Sequence, residues 1–239
     1  MDGYSISEHA EVQSFHVGHG KEPVVVIDNL LEHPQDLVQY ALEGPCFEQQ
    51  SQDFYPGIRQ AGPQKYAQKV RRSLEENRYF AVFEASKVDT ISCVLSIATV
   101  PPAKLRPIQT VPHFDSCCND SYAMVHYLCA QHHGGTSFYR HKSTGLEKVQ
   151  QHQLGGYMRT LKAELMADTS HAPAYIHGDT NQFERIGTVP AKFNRAVIYR
   201  CSLLHSGDIQ PDLGLARDPR KGRLTANLLF TAADPSSTH

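Results

Sequence analysis

Short apolar runs broken by Gly, Pro, Asn and Asp set the rhythm of the chain from residue 24 onward. Val24-Val25-Val26-Ile27 is too short for a helix and rich in β-branched residues, so it predicts a strand, closed by Asp28-Asn29. Gln35 to Glu43 places Leu37, Val38, Tyr40, Ala41 and Leu42 at a helical period and stops at Gly44-Pro45. Pro63 to Arg78, with Tyr66, Val70 and Leu74 set among Lys and Arg, predicts a second, amphipathic helix. After it the pattern turns to strands: Tyr79 to Phe83, Ser92 to Thr99, Tyr122 to Cys129, Thr136 to Tyr139, Phe183 to Val189, Ala196 to Arg200 and Leu224 to Thr231. A third helical stretch, from about Leu154 to Met166, interrupts them with Leu154, Tyr157, Met158, Leu161 and Leu165 on one face. The reading is a mostly β fold with flanking helices, of jelly-roll or other double-sheet type. It occupies one domain over 23–234, with tails at 1–22 and 235–239.

Composition narrows the setting. The 239 residues are enough for a core that needs no metal or disulfide staple. A net charge of -2 with 20% charged residues argues against disorder and against a basic nucleic-acid surface. The start, Met1-Asp2-Gly3-Tyr4-Ser5, lacks a basic region followed by an apolar run, and no stretch approaches the ~18 apolar residues of a membrane span. The expectation is a cytoplasmic protein with no membrane and no nucleic-acid partner; a homodimer is compatible with it. The six cysteines form no CxxC pair and two are adjacent, which suits reduced thiols better than bridges. Fourteen histidines raise the prior for metal chemistry.

The chemistry concentrates in Pro112-His113-Phe114-Asp115-Ser116, ahead of the Tyr122 strand. On an extended backbone residues two apart share a side, so His113 and Asp115 can converge while Phe114 turns away. His205, where an apolar strand runs into Ser206-Gly207, is the third candidate. Two imidazoles and one carboxylate leave open positions on an octahedral ion, the arrangement of non-haem Fe(II) oxygenases, whereas structural zinc wants a fourth protein ligand. If the co-substrate is 2-oxoglutarate, its second carboxylate needs a fixed cation, and arginine suits this best. Arg223 begins an alternating strand that puts Thr225 on its own side, and Tyr127 can add a phenol from across the sheet. Arg217 and Arg220 are rivals for Arg223, but they flank Pro219.

At these residues the sequence resembles the 2-oxoglutarate and Fe(II)-dependent dioxygenase superfamily, within it the prolyl-4-hydroxylase-like branch. Tyr127-Leu128 resembles that branch's barrel strand, and His132-His133-Gly134-Gly135-Thr136-Ser137-Phe138 its Gly-Gly hairpin. Tyr55-Pro56-Gly57-Ile58-Arg59, together with the 112–115 and 204–207 motifs, resembles an uncharacterised bacterial oxygenase-like family, a domain of unknown function. The resemblance spans roughly residues 23 to 231. It implies a double-stranded β-helix, a cupin-like barrel, in which His113, Asp115 and His205 hold Fe(II) and Arg223, Thr225 and Tyr127 bind 2-oxoglutarate. The implied activity is hydroxylation of a C-H bond by O2 in a small-molecule or peptide substrate, such as an amino acid, a peptidyl residue or a small metabolite. In most relatives the arginine follows the second histidine more closely than here. Halogenation is disfavoured because Asp115 fills the position that a halide needs. A jelly-roll protein that captures ligand or metal without turnover, and a cupin-like dioxygenase that uses no keto acid, are the competing classes.

Other residues receive plainer readings. His126 alternates with Tyr127 and turns away from the site. His132, His133 and His141 lie near turns and read as solvated. Cys117 and Cys118 read as loop or packing residues, since thiols beside iron oxidise readily. Tyr55 to Arg59 reads as a turn, either a loop anchor or a segment reaching substrate over the barrel mouth.

Overall fold

The computed structural model describes residues 3–49, 54–167 and 172–233; the tail expected at 235–239 lies outside them. The order is β1 (Glu11–Val17), β2 (Glu22–Asp28), α1 (Gln35–Glu43), β3 (Gly57–Ala61), α2 (Gln64–Glu76), β4 (Val88–Ala98), β5 (Ser121–Tyr127), β6 (Thr136–His141), α3 (Leu154–Ala167), β7 (Phe183–Val189), β8 (Arg195–Arg200), β9 (His205–Gly207) and β10 (Leu224–Ala232). A seven-stranded sheet runs β1-β2-β8-β5-β10-β4-β3, and a three-stranded sheet runs β7-β6-β9. All strand pairs are antiparallel. This is the jelly-roll architecture that the strand pattern predicts.

The alternation of each central strand sorts the core into two. On the outer face of the large sheet Ile58, Leu95, Ile97, Met124, Leu128, Ile198, Ala226 and Leu228 pack with Leu37 of α1 and with Tyr66, Val70 and Leu74 of α2. On the inner face Ala123, Tyr127, Val197 and Tyr199 meet Phe138 and Val189 of the small sheet. Val24 and Val26 belong to the inner cluster, Val25 and Ile27 to the outer. The four-residue apolar run Val24-Val25-Val26-Ile27 is therefore a strand buried on both sides, which is why it does not alternate.

Three stretches differ from expectation. Residues 11–17, expected in a loose tail, form edge strand β1, paired with β2 from Glu11↔Asp28 to Val17↔Glu22. Most of its side chains are exposed, so it carries no hydrophobic signature. Tyr79–Phe83, expected as a strand, is a 3-10 helix between left-handed Arg78 and Glu84. Its three-residue repeat brings Phe80 and Phe83 together against Tyr122, with centroids 5.3 and 5.1 Å away. Tyr55 to Arg59, expected as a turn, runs into strand β3 (Gly57–Ala61). A side chain at Gly57 would stand 2.0 Å from the Ile97 carbonyl oxygen, so glycine is what lets β3 approach β4 there.

His126 turns away from the site as expected, and it is fully buried beneath α2. Asn194 fixes its protonation. The Leu31 N–H donates to Asn194 Oδ1 (3.0 Å) and Asn194 Nδ2 donates to the Leu31 carbonyl (2.8 Å). Oδ1 is thus an acceptor, so His126 Nε2 donates to it (3.1 Å) and Nδ1 accepts from the Tyr66 hydroxyl (3.0 Å). Burial pushes the His126 pKa from 6.5 down to about 4, against the hydrogen bond to Asn194. The unfolded ring takes up a proton as pH falls through 6.5 while the folded ring does not. Its contribution to stability is therefore complete above pH 6.5 and is lost as pH falls toward 4. Unfolding midpoints measured over that range should fall less steeply for His126→Leu than for the unaltered protein, whatever the offset between them.

His133 and His141, expected in solvent, are buried. His141 Nε2 donates to the Glu164 carboxylate of α3 (2.7 Å), Nδ1 lies 2.9 Å from Thr144 Oγ1, and the ring packs on Tyr157 and Phe183. A turn-proximal histidine ends up inside because α3 folds over the small sheet and supplies the carboxylate that lets the imidazole be buried. His132 is exposed.

Candidate metal centre

The site is built by backbone pairing. The His113 N–H donates to the His205 carbonyl (2.9 Å) and the His205 N–H to the His113 carbonyl (2.8 Å), an isolated antiparallel bridge. Residues directly opposed in such a bridge project to the same side. Their rings accordingly lie 4.3 Å apart, centroid to centroid. The Asp115 N–H donates to the Cys201 carbonyl (2.8 Å), which holds the chain extended past Phe114 and returns the carboxylate to the side of His113. Asp115 Oδ1 stands 3.8 Å from His113 Nε2, and Oδ2 stands 3.5 Å from His205 Nε2. One donor atom from each residue falls within 4.8 Å of the others. These gaps exceed a direct hydrogen bond and suit donors that share an ion.

The surroundings prepare those donors. His205 is 4% exposed, packs against the Tyr199 ring at 4.6 Å, and donates from Nδ1 to the Leu203 carbonyl (2.8 Å). That bond fixes the tautomer and leaves the Nε2 lone pair facing Asp115. His113 sits at the lip with 53% of its side chain exposed. Packed protein around the ring, followed by the facing His205 imidazole, lowers its pKa below the ordinary value, with Asp115 opposing. His113 is thereby kept neutral, the form that ligates a metal. Two imidazoles and a single carboxylate on one edge fit a divalent first-row ion with open positions. Cys117 and Cys118 lie outside the group; Cys117 packs with Phe114 and Val111.

The residues expected to take the co-substrate also converge. Thr225 pairs directly with Tyr127 across β10 and β5, so both project to the inner face. Arg223, two residues before Thr225, follows the same alternation and is 4% exposed. Its guanidinium lies 5.9 Å from the Tyr127 ring centre. Nη2 donates to the Gly135 carbonyl (2.8 Å) and Nε to that of Gly134 (3.3 Å). Arg223 also borders β9: a Cβ at Gly207, two residues beyond His205, would stand 3.2 Å from Nη2. The rivals Arg217 and Arg220 are exposed. The Tyr127 hydroxyl is within 2.6 Å of Thr136 Oγ1, and burial raises its pKa far above 10, so it remains protonated.

Sequence reasoning missed Asp208. It is buried and accepts at Oδ2 from Ser137 Oγ (2.7 Å) and Thr188 Oγ1 (3.2 Å), tying β9's end to β6 and β7. Its carbonyl lies where a Cβ at Gly134 (φ +79°) would be, 1.5 Å away, which accounts for the first glycine of the hairpin. Only the spacing of three from His205 hints at it in the sequence.

The family described as "Family of unknown function (DUF6445)" matches residues 8–230. The chain belongs to this family. The comparison with curated proteins gives no match. Among solved structures, the non-heme alpha ketoglutarate dependent carbocyclase SnoK from nogalamycin biosynthesis is 15% identical with a TM-score of 0.52, over 90% of this chain and 82% of that one. The non-heme alpha ketoglutarate dependent epimerase SnoN from the same biosynthesis is 13% identical with a TM-score of 0.51, over 90% and 80%. At such identities the likeness concerns the fold, the double-stranded β-helix. DUF6445 thus has a jelly-roll fold in this member, and the match begins within residues that the sequence had assigned to a tail.

Proposed function

We propose that this protein is a non-haem Fe(II), 2-oxoglutarate-dependent dioxygenase that hydroxylates a C-H bond of an amino acid, a peptidyl residue or a small metabolite. The observation that carries this reading is the His113–His205 backbone bridge, with the Asp115 carboxylate 3.5 and 3.8 Å from the two Nε2 atoms. Those three residues would hold the iron. Arg223, Thr225 and Tyr127 would receive 2-oxoglutarate from the inner face of the large sheet. When bound, the pair would activate O2, whose four-electron reduction would draw two electrons from oxidative decarboxylation of the keto acid to succinate and CO2 and two from the substrate C-H bond.

The chain's own groups provide the rest. Asp115 would supply the single carboxylate ligand that, with the two imidazoles, holds the ion. Arg223, held by two backbone carbonyls in a buried setting, offers a fixed cation whose remaining N–H groups can pair with the distal carboxylate. Tyr127 is a phenol that donates at any physiological pH. Tyr199, Phe138 and Val197 keep water from the inner side of the site. Among the described residues no helix is long and apolar enough to cross a membrane, and the proposed setting is the cytoplasm.

Aerobic incubation with Fe(II) and 2-oxoglutarate, with and without panels of amino acids, peptides and metabolites, tests the reading by succinate release. Succinate no greater than the background of Asp115→Ala would leave ligand capture as the function. Turnover that survives loss of Arg223 would point to a dioxygenase that needs no keto acid.

A further inference from the structure

The strand register lays a row of hydroxyls across the outer face of the small sheet. Ser137 of β6 pairs with Thr188 of β7 on one side and with Ser206 of β9 on the other, and directly paired residues project to the same side. Phe138, next to Ser137, belongs to the inner core, so the row projects outward. The two-residue repeat adds Tyr139 to that face, where its ring packs with Tyr157 and Leu161 of α3. Asp208, directly after β9, turns its carboxyl group to the same row and is the acidic member of the group.

The hydrogen bonds of this group do not close. Asp208 is 6% exposed, and Ser137 and Tyr139 are fully buried. The Ser137 hydroxyl (2.7 Å) and the Thr188 hydroxyl (3.2 Å) both donate to Asp208 Oδ2, which leaves each hydroxyl oxygen with lone pairs to offer. Asp208 Oδ1 is buried and has no hydrogen-bond partner among the described residues, and the same holds for the Tyr139 hydroxyl. Burial, followed by the Asp208 charge, raises the Tyr139 pKa to about 12, so the phenol stays protonated and near the carboxylate. No Lys, Arg or His among the described residues forms an ion pair with Asp208. Arg185, paired with Tyr139 across β6 and β7, is exposed. A buried carboxylate with no cation and one oxygen unpaired is costly. Protonation of Oδ1 would only exchange an unpaired acceptor for an unpaired donor, whereas a bound cation answers both the charge and the free oxygens.

We propose that Asp208 Oδ1 and the Tyr139 hydroxyl, with the Ser137 and Thr188 oxygens beside them, hold a monovalent alkali cation, Na+ or K+, on the outer face of the small sheet. A donor set made only of oxygen selects hard cations. Ca(II) takes six to eight oxygens, while the one carboxylate here balances one positive charge. Thr188 is exposed and gives the ion a path from solvent. Asp208 follows His205 by three residues, and Ser137, Tyr139 and Thr188 belong to β6 and β7, so the ion ties the end of β9 to both neighbouring strands. The site is on the opposite face of the small sheet from the His205 ring and stands whether or not the oxygenase reading holds.

The test uses the full chain, treated with EDTA and dialysed, with its unfolding midpoint followed in NaCl, in KCl and, at equal ionic strength, in tetramethylammonium chloride. At ten times its dissociation constant the preferred alkali ion should raise the midpoint by about 3–6 °C over tetramethylammonium, along a saturating curve. Asp208→Asn, which keeps the shape and removes the charge, should lose that difference; Tyr139→Phe should lessen it, and Asp115→Ala should keep it. The proposal is overturned if the unaltered protein shows no saturable difference, a result that needs no variant. It is equally overturned if Asp208→Asn retains the full difference, or if Ca(II) or Mg(II) stabilises the protein and alkali ions do not. An alkali effect that appears only in Arg185→Gln would mean that Arg185 itself meets Asp208, and would overturn it too. Should Asp208→Asn fail to fold, crystals of the unaltered protein grown in RbCl decide: anomalous density against Asp208 Oδ1 supports the site, and Rb+ bound only elsewhere removes it.

Discussion

Asp115→Ala should abolish metal-dependent succinate formation while leaving a folded protein. The carboxylate is the only anionic donor in the group, and both imidazoles stand within 4 Å of it. Removing a hydrogen-bond partner of a metal ligand already costs about 10–100-fold in affinity or activity, so loss of a ligating carboxylate is expected to cost more. Anaerobic titration with Mn(II), followed by the loss of its free-ion EPR signal, measures the binding half of this expectation; the succinate assay measures the other. Asp115 is bound to the fold through its backbone N–H to Cys201, which alanine retains. The unfolding midpoint of the metal-free variant should therefore stay close to that of the unaltered protein. Tight Mn(II) binding by Asp115→Ala would remove the carboxylate from the metal centre.

Arg223 is the second position where a large effect is expected. Arg223→Leu takes the cation from a site where it is 4% exposed, and leaves the Gly134 and Gly135 carbonyls without its N–H groups. Each lost charge-assisted hydrogen bond corresponds to about 1.5–3 kcal/mol, so the KM for 2-oxoglutarate should rise by about a hundredfold or more. Part of the change could be structural, because the hairpin carbonyls are unpaired in the same step. Arg223→Lys separates the two causes: it keeps a charge and loses the fork, and should give an intermediate KM. A co-substrate role predicts a KM effect with Mn(II) affinity unchanged. A rise confined to kcat, or equal loss of Mn(II) binding, would mean that Arg223 supports the β9 end of the site and does not receive the keto acid.

Several parts of this molecule are legible in the sequence because their signals are local. The helix over Gln35–Glu43 has a 3.6-residue period and a Gly-Pro stop, and it appears with those bounds. Strands β7, β8 and β10 appear within a residue of where β-branched runs and turn residues place them. His113 and Asp115 can be paired by the two-residue repeat alone. Elsewhere the local signal is absent or misleading. β1 is exposed on nearly all its positions and has no pattern to read. Tyr79–Phe83 is aromatic enough for a strand, yet two left-handed residues close it into a short helix whose phenylalanines fill the space beneath the large sheet. His141 looks like a turn residue until α3, from further along the chain, brings Glu164 over it.

The sequence by itself determined the double-sheet class, the three helices and the types of donor at positions 113, 115 and 205, since each follows from side-chain chemistry and from periods of two or 3.6 residues. Tertiary structure alone decided that His113 and His205 are opposed across one backbone bridge, that Arg223 and not Arg217 or Arg220 is inside, and that Arg59 shares a row with Ser96, Thr225 and Tyr127. These are facts of register between strands remote in the chain. Register is settled by how whole sheets bury their apolar faces together, which no short stretch of sequence contains.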